Sequence, residues 1–114
     1  KNSLDFIEGI NFMPELKDSK SNRWLTTLTI DQDIIKVTPL ELIKTLEKEN
    51  IEARPIWKPM HLQPLYKSYD FISLNNEDIS GKLFLNGICL PSGSQLKLSE
   101  QDYIIDILID SLSK

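Results

Sequence analysis

Thr38-Pro39-Leu40-Glu41-Leu42-Ile43-Lys44-Thr45-Leu46-Glu47-Lys48-Glu49-Asn50 reads as one complete helix with its own start and stop. Thr38 is the N-cap, Pro39 takes the first helical position, where its missing N–H costs nothing, and Glu41 completes a capping box. Leu42, Ile43 and Leu46 make a single apolar stripe, and Asn50 suits the C-terminal stop. A helix that is apolar on one side needs a layer to lie on, and both flanks provide strands. Upstream, Arg23 to Ile30 is the clearest: Trp24, Leu28 and Ile30 share one face and threonines fill several other places. That alternation puts Trp24 in the core. Downstream, Ile51 to Trp57 runs extended, with Ile51, Ala53, Pro55 and Trp57 on one side.

Further from the helix the signals are shorter. Lys1 to Glu8 reads as the tail of a helix with Leu4 and Ile7 on one side and Gly9 as its stop. Ile10 to Met13 is a short strand ended by Pro14, and Glu15 to Ser21 is a polar loop. Met60 to Ser68 suits a short helix after Pro59. Ile79 to Leu85 suits another, closed by Asn86-Gly87. Ile88-Cys89-Leu90 is a buried strand. Ser99 caps a last helix running through Leu112, with Ile105, Leu108, Ile109 and Leu112 as its stripe. The expected fold is α+β: one domain over 1–114, a two-layer sandwich of a small, mainly antiparallel sheet and helices.

Composition excludes several classes of function. At 114 residues there is one modest core. The net charge is −4, with thirteen basic and seventeen acidic residues interspersed; no basic run tracks phosphates, so nucleic acid is not an expected partner. The most apolar stretch, Tyr103 to Leu112, is interrupted by Asp106 and Asp110, so no membrane span is expected. With one Cys and one His, neither an internal disulfide nor a zinc site of soft ligands can be built. A lone thiol, Cys89, set between Ile88 and Leu90, fits an inert buried group in a reducing compartment, with the cytoplasm as default. No signal peptide is visible, and a chain opening on Lys1 reads as a trimmed one.

The residues with chemistry to offer crowd into Ala53-Arg54-Pro55-Ile56-Trp57-Lys58-Pro59-Met60-His61-Leu62-Gln63-Pro64, which holds the one histidine and three of the six prolines. Prolines stiffen this stretch into extended backbone, and an indole, two cations and an imidazole suit a polar, anionic ligand. His61 can donate and accept toward a ligand oxygen, or cap the Met60 to Ser68 helix. Trp57 stacks on the face of a ligand ring or fills the core; period-two counting permits both. Arg54 can grip a diphosphate or carboxylate bidentately, or pair with Glu52. Asn22, Arg23 and Trp24 enter the neighbouring strand. Ser92-Gly93-Ser94 is a turn or a phosphate nest.

Arg54 to Pro64 resembles a stretch in the C-terminal domain of nucleotide-sugar aminotransferases of the DegT/StrS type. Phe84-Leu85-Asn86-Gly87-Ile88-Cys89-Leu90-Pro91-Ser92-Gly93-Ser94, followed by Leu98-Ser99-Glu100-Gln101-Asp102, resembles a second, and Ser21-Asn22-Arg23-Trp24-Leu25-Thr26-Thr27 a third. They stand in the expected order and span nearly the whole chain. The resemblance implies the small domain of a fold type I, pyridoxal-phosphate enzyme that turns a nucleotide-linked 4-keto sugar into a 4-amino sugar. Glutamate would be the donor, surface glycans or glycoproteins the destination and a homodimer the assembly. The Lys-Pro-Met-His form of the loop points toward N-acetylated UDP sugars. The resemblance places His61, Trp57, Arg54, Asn22 and Arg23 as substrate-binding residues on the sugar side of a cleft. It assigns the Schiff-base lysine, the acid at the pyridinium nitrogen and the phosphate cup to a large domain. This chain would then be a fragment with no cofactor and no catalytic residue of its own. A stand-alone α+β binding module is the alternative from another class. An apolar patch at Leu4, Phe6 and Ile7 would mark the cut fragment.

Overall fold

The computed structural model describes residues 3–22 and 24–113. Its strands are β1 (Ile10–Phe12), β2 (Thr26–Ile30), β3 (Arg54–Pro55) and β4 (Gly87–Leu90); its helices are α1 (Pro39–Lys48), α2 (Ile79–Asn86) and α3 (Leu98–Leu112). The sheet order is β1-β2-β4-β3 and every neighbouring pair is antiparallel, with Leu28 opposite Ile88 and Arg54 opposite Cys89. This is the expected α+β sandwich.

α1 forms as its sequence dictates. Thr38 Oγ1 accepts from the Glu41 backbone N–H at 3.2 Å, and Glu41 Oε2 accepts from the Thr38 N–H at 2.9 Å. At the other end Asn50 turns left-handed (φ 58°), its N–H donates to Glu47 O, and the Ile51 N–H donates to Leu46 O. These two bonds are a Schellman stop, which satisfies carbonyls a helix end otherwise leaves open. Leu42 and Leu46 face a core shared with Leu28 and Ile30 of β2, Ile88 and Leu90 of β4, and Ile104, Leu108 and Leu112 of α3. α1 and α3 thus lie over one face of the sheet. α2 rests on β2 and β4, where Leu83 and Thr29 border a common groove.

Several expectations require correction. Residues 3–9 form turns rather than a helix tail, with the Ile7 N–H donating to Leu4 O and the Ile10 N–H to Ile7 O; Lys1 and Asn2 lie outside the described residues. Leu4 and Ile7 are nonetheless buried and Phe6 alone of the three is exposed, so no apolar patch of the three residues forms. β2 begins at Thr26, and Trp24, on the bend before it, is 73% exposed rather than core; period-two counting fails where the chain is not yet a strand. Met60 to Ser68 makes two 3₁₀ turns, Met60–Leu62 and Pro64–Tyr66, because Pro64 drives Gln63 to extended backbone (φ −78°, ψ 141°). α3 begins one residue before Ser99, with the Lys97 N–H donating to Glu100 Oε2 at 2.8 Å. Its buried stripe is Ile104, Leu108 and Leu112, and Ile105 and Ile109 pack only partly. Among the described residues no helix is long and apolar enough to cross a membrane, and no cluster of potential metal ligands occurs.

Candidate functional site

The short strand β3 and the chain just before β2 border a cleft of about 1060 Å³. Its walls bring together Asn22, Trp24, Arg54, Trp57, Lys58 and the Ser92-Gly93-Ser94 turn. Asn22, Arg54 and Trp57, all expected to bind substrate, therefore meet at one place. Arg23 lies outside the described residues. The two indoles stand 6.0 Å apart between centroids, tilted by 33°, and Trp57 is 62% exposed. Trp57 is thus not a core plug: Ile56 turns inward against Gly87 in its place. Asn22 Oδ1 accepts from the Trp24 N–H at 3.1 Å, and Ser92 Oγ donates to Trp24 O at 2.8 Å, so the turn after β4 braces the bend that displays Trp24.

Arg54 Nε donates to Glu52 Oε1 at 2.7 Å, the ion pair foreseen for it, and both side chains are largely exposed. An exposed pair of this kind is worth about 0–1 kcal/mol, so a phosphate or carboxylate can claim the guanidinium at small cost. Lys58 has no ionic partner among the described residues. Cys89 also borders the cleft, but burial pushes its thiol up, away from the reactive thiolate. Two indoles and two cations bordering one cleft are groups suited to a polar ring that carries an anionic group.

His61 is placed elsewhere. Its Nε2 lies 2.8 Å from Asp78 Oδ2, and its ring stacks on Phe71 at 3.8 Å between centroids and 22° between planes. An ionised carboxylate only accepts, so Nε2 carries the proton. Asp78 is also the N-cap of α2: its Oδ1 accepts from the Gly81 N–H at 2.7 Å and from Ser80 Oγ at 3.2 Å. Asp78 was not among the expected site residues. Its legible signal was an N-cap residue immediately before the helix expected at Ile79.

The bond from His61, and after it the Gly81 N–H, holds the Asp78 carboxyl below its ordinary value of 3.8. A depressed folded pKa gives stability that is complete above the ordinary value and is lost as pH falls through the folded one. Urea unfolding between pH 5 and pH 2 is expected to show a steeper acid loss for the native chain than for Asp78→Asn, which cannot take up that proton.

The described lysines are all exposed, and of them only Lys58 borders the cleft. Among the described residues no buried amine stands beside a carboxylate, so none of these lysines has the surroundings expected of a Schiff-base lysine.

The family model described as the DegT/DnrJ/EryC1/StrS aminotransferase family matches residues 1–109. EpsN of Bacillus subtilis (strain 168), named as a pyridoxal phosphate-dependent aminotransferase, is 46% identical over 112 residues. That alignment takes in 96% of this chain but 28% of EpsN. Among solved structures, PseC of Helicobacter pylori, an aminotransferase involved in the biosynthesis of pseudoaminic acid, has a TM-score of 0.77 at 20% identity; the match covers 98% of this chain and 29% of PseC. DesI, solved in the presence of its TDP-sugar product, also scores 0.77, at 17% identity over 94% of this chain and 27% of its own. At these identities the two structures show a common fold.

Proposed function

Because the chain belongs to the DegT/DnrJ/EryC1/StrS aminotransferase family, we propose that it is the C-terminal, substrate-facing domain of a longer aminotransferase. The whole enzyme would convert a nucleotide-linked 4-keto sugar to a 4-amino sugar for a surface polysaccharide, as a cytoplasmic homodimer. Pyridoxal phosphate, held outside this chain, would supply the amino-group transfer, with glutamate as donor. The observation that carries the reading is the joining of Asn22, Arg54 and Trp57 around one cleft, on the stretches that resemble the family. A nucleotide-linked sugar is supported by the TDP-sugar product of DesI and by the pairing of indoles with cations; the N-acetylated UDP form rests on the Lys58 to His61 sequence alone.

In this arrangement Trp57 meets the sugar face and Arg54 and Lys58 meet the diphosphate. Asn22 reaches from the chain before β2, Arg23 is assigned to the substrate by the resemblance alone, and His61 acts from behind, through the loop that carries Trp57. The test is steady-state kinetics of the full-length protein with pyridoxal phosphate, glutamate and a UDP-linked 4-keto sugar. Amino-sugar product is expected, and Trp57→Ala should raise KM about tenfold, the equivalent of one lost aromatic stacking contact, with cofactor absorbance unchanged. A wild-type protein that forms no amino sugar sinks the reading; an unaltered KM removes Trp57 from the site.

A further inference from the structure

No residue from Trp57 to Ser80 is buried. The segment crosses the surface as a series of turns whose backbone hydrogen bonds all close locally: the Leu62 N–H to Pro59 O, Gln63 to Met60, Tyr66 to Gln63, Lys67 to Pro64, Tyr69 to Tyr66 and Glu77 to Leu74. Such bonds shape individual turns but do not tie the segment to the sheet. Most of its apolar side chains do not anchor it either: Met60, Leu65, Tyr69, Ile72 and Leu74 are exposed, and Leu62 and Tyr66, though half-buried, are not part of the core cluster. Among the described residues, two polar side-chain contacts join 57–77 to α2: the His61 bond to its N-cap, and an exposed Glu77–Lys82 ion pair at 3.9 Å, too long for a hydrogen bond and next to the helix start in the chain.

That joint is closely fitted. The Asp78 carboxylate folds over the first turn of α2 so tightly that a Cβ on Gly81 would stand 2.1 Å from Asp78 Oδ2. A side chain at 81 would have to push aside the carboxylate that caps the helix with one oxygen and holds the imidazole with the other. Phe71 covers the imidazole face and fixes the ring plane, while the carboxylate end of the bond stays partly open to water. His61 follows Trp57 by four residues, through Lys58, Pro59 and Met60. Pro59 is fixed at φ −61°, and a stiff spacer passes the placement of one end to the other.

We propose that Asp78 is a positioning residue for the cleft: by holding His61 it latches the 57–77 segment to α2 and sets Trp57 beside Trp24. The latch is a property of this chain and stands whether or not the ligand is a nucleotide sugar.

Hydrogen exchange followed by mass spectrometry, on the full-length protein without substrate, tests it. His61→Phe keeps a ring against Phe71 but removes the bond. Asp78→Ser keeps a capping hydroxyl but cannot reach the imidazole. Both are expected to speed exchange in peptides covering 57–77 by about tenfold while α3 exchanges as in the native protein. Asp78→Asn, whose Oδ1 can still cap while its amide NH2 donates to Nε2 of a neutral imidazole in the other tautomer, should restore near-native rates above the histidine's titration range. Native exchange of 57–77 in His61→Phe overturns the proposal, as does an equal acceleration in α3, which would mean general destabilisation. Should Asp78→Ser fail to fold, His61→Phe alone decides.

Discussion

Gly87→Ala is expected to cost about 3 kcal/mol of folding stability, the upper end for an overpacked core position and a large share of what a small domain has. Gly87 opens β4, the strand bonded on both sides, by β2 and by β3, and it is buried. A Cβ there would stand 2.2 Å from Ile56 Cδ1 and 2.4 Å from the Leu83 carbonyl oxygen. The isoleucine methyl can rotate away; the carbonyl belongs to the backbone of α2 and can retreat only if the helix does. The strain therefore reaches α2, whose other end holds Asp78. Equilibrium urea unfolding reads the loss directly, and a change below about 1 kcal/mol would show that α2 is free to shift.

Leu28→Ala should cost a similar amount, within the range of about 2–5 kcal/mol for a leucine removed from a packed interior. Leu28 is 1% exposed, faces Ile88 across the β2–β4 ladder and Phe12 across β1–β2, and packs in the cluster that includes Leu42, Leu46 and Leu108. The cavity would be walled by two strands and two helices that are already mutually packed, so little collapse can offset it. Leu16→Ala, at a side chain 82% exposed, is the matched control and should stay within about 0.5 kcal/mol of the native chain. If both leucines behave alike in urea, the core lies elsewhere.

What could be read in advance divides along physical lines. α1 was legible to its caps because every signal it needs lies within its own residues: a hydroxyl, a proline, a glutamate three positions on, and an asparagine for the left-handed stop. β4 was legible because a strand buried on both faces needs an unbroken apolar run. β3, with two residues, carries too few positions for any period to show. Trp24 misled because alternation was counted through a bend, and large aromatic residues look like core wherever they stand. Asn22, Arg54 and Trp57 were found as site candidates because their chemistry is local. The Asp78 bond to His61 was not, since its partners are seventeen positions apart and only the folded turn between them brings them together.

The sheet has two open margins, and both are very short. β3 offers two residues, one a proline with no N–H to give and the other a charged arginine; β1 offers three and is followed closely by Pro14. A foreign strand laid against either margin would find two or three rungs before the ladder ran out. This matters for a molecule whose surface carries so many bare apolar side chains between Trp57 and Ile79. Sticky contact through those side chains has no backbone template beside it on which to grow into fibre, so stickiness and strand accretion are kept on separate parts of the molecule.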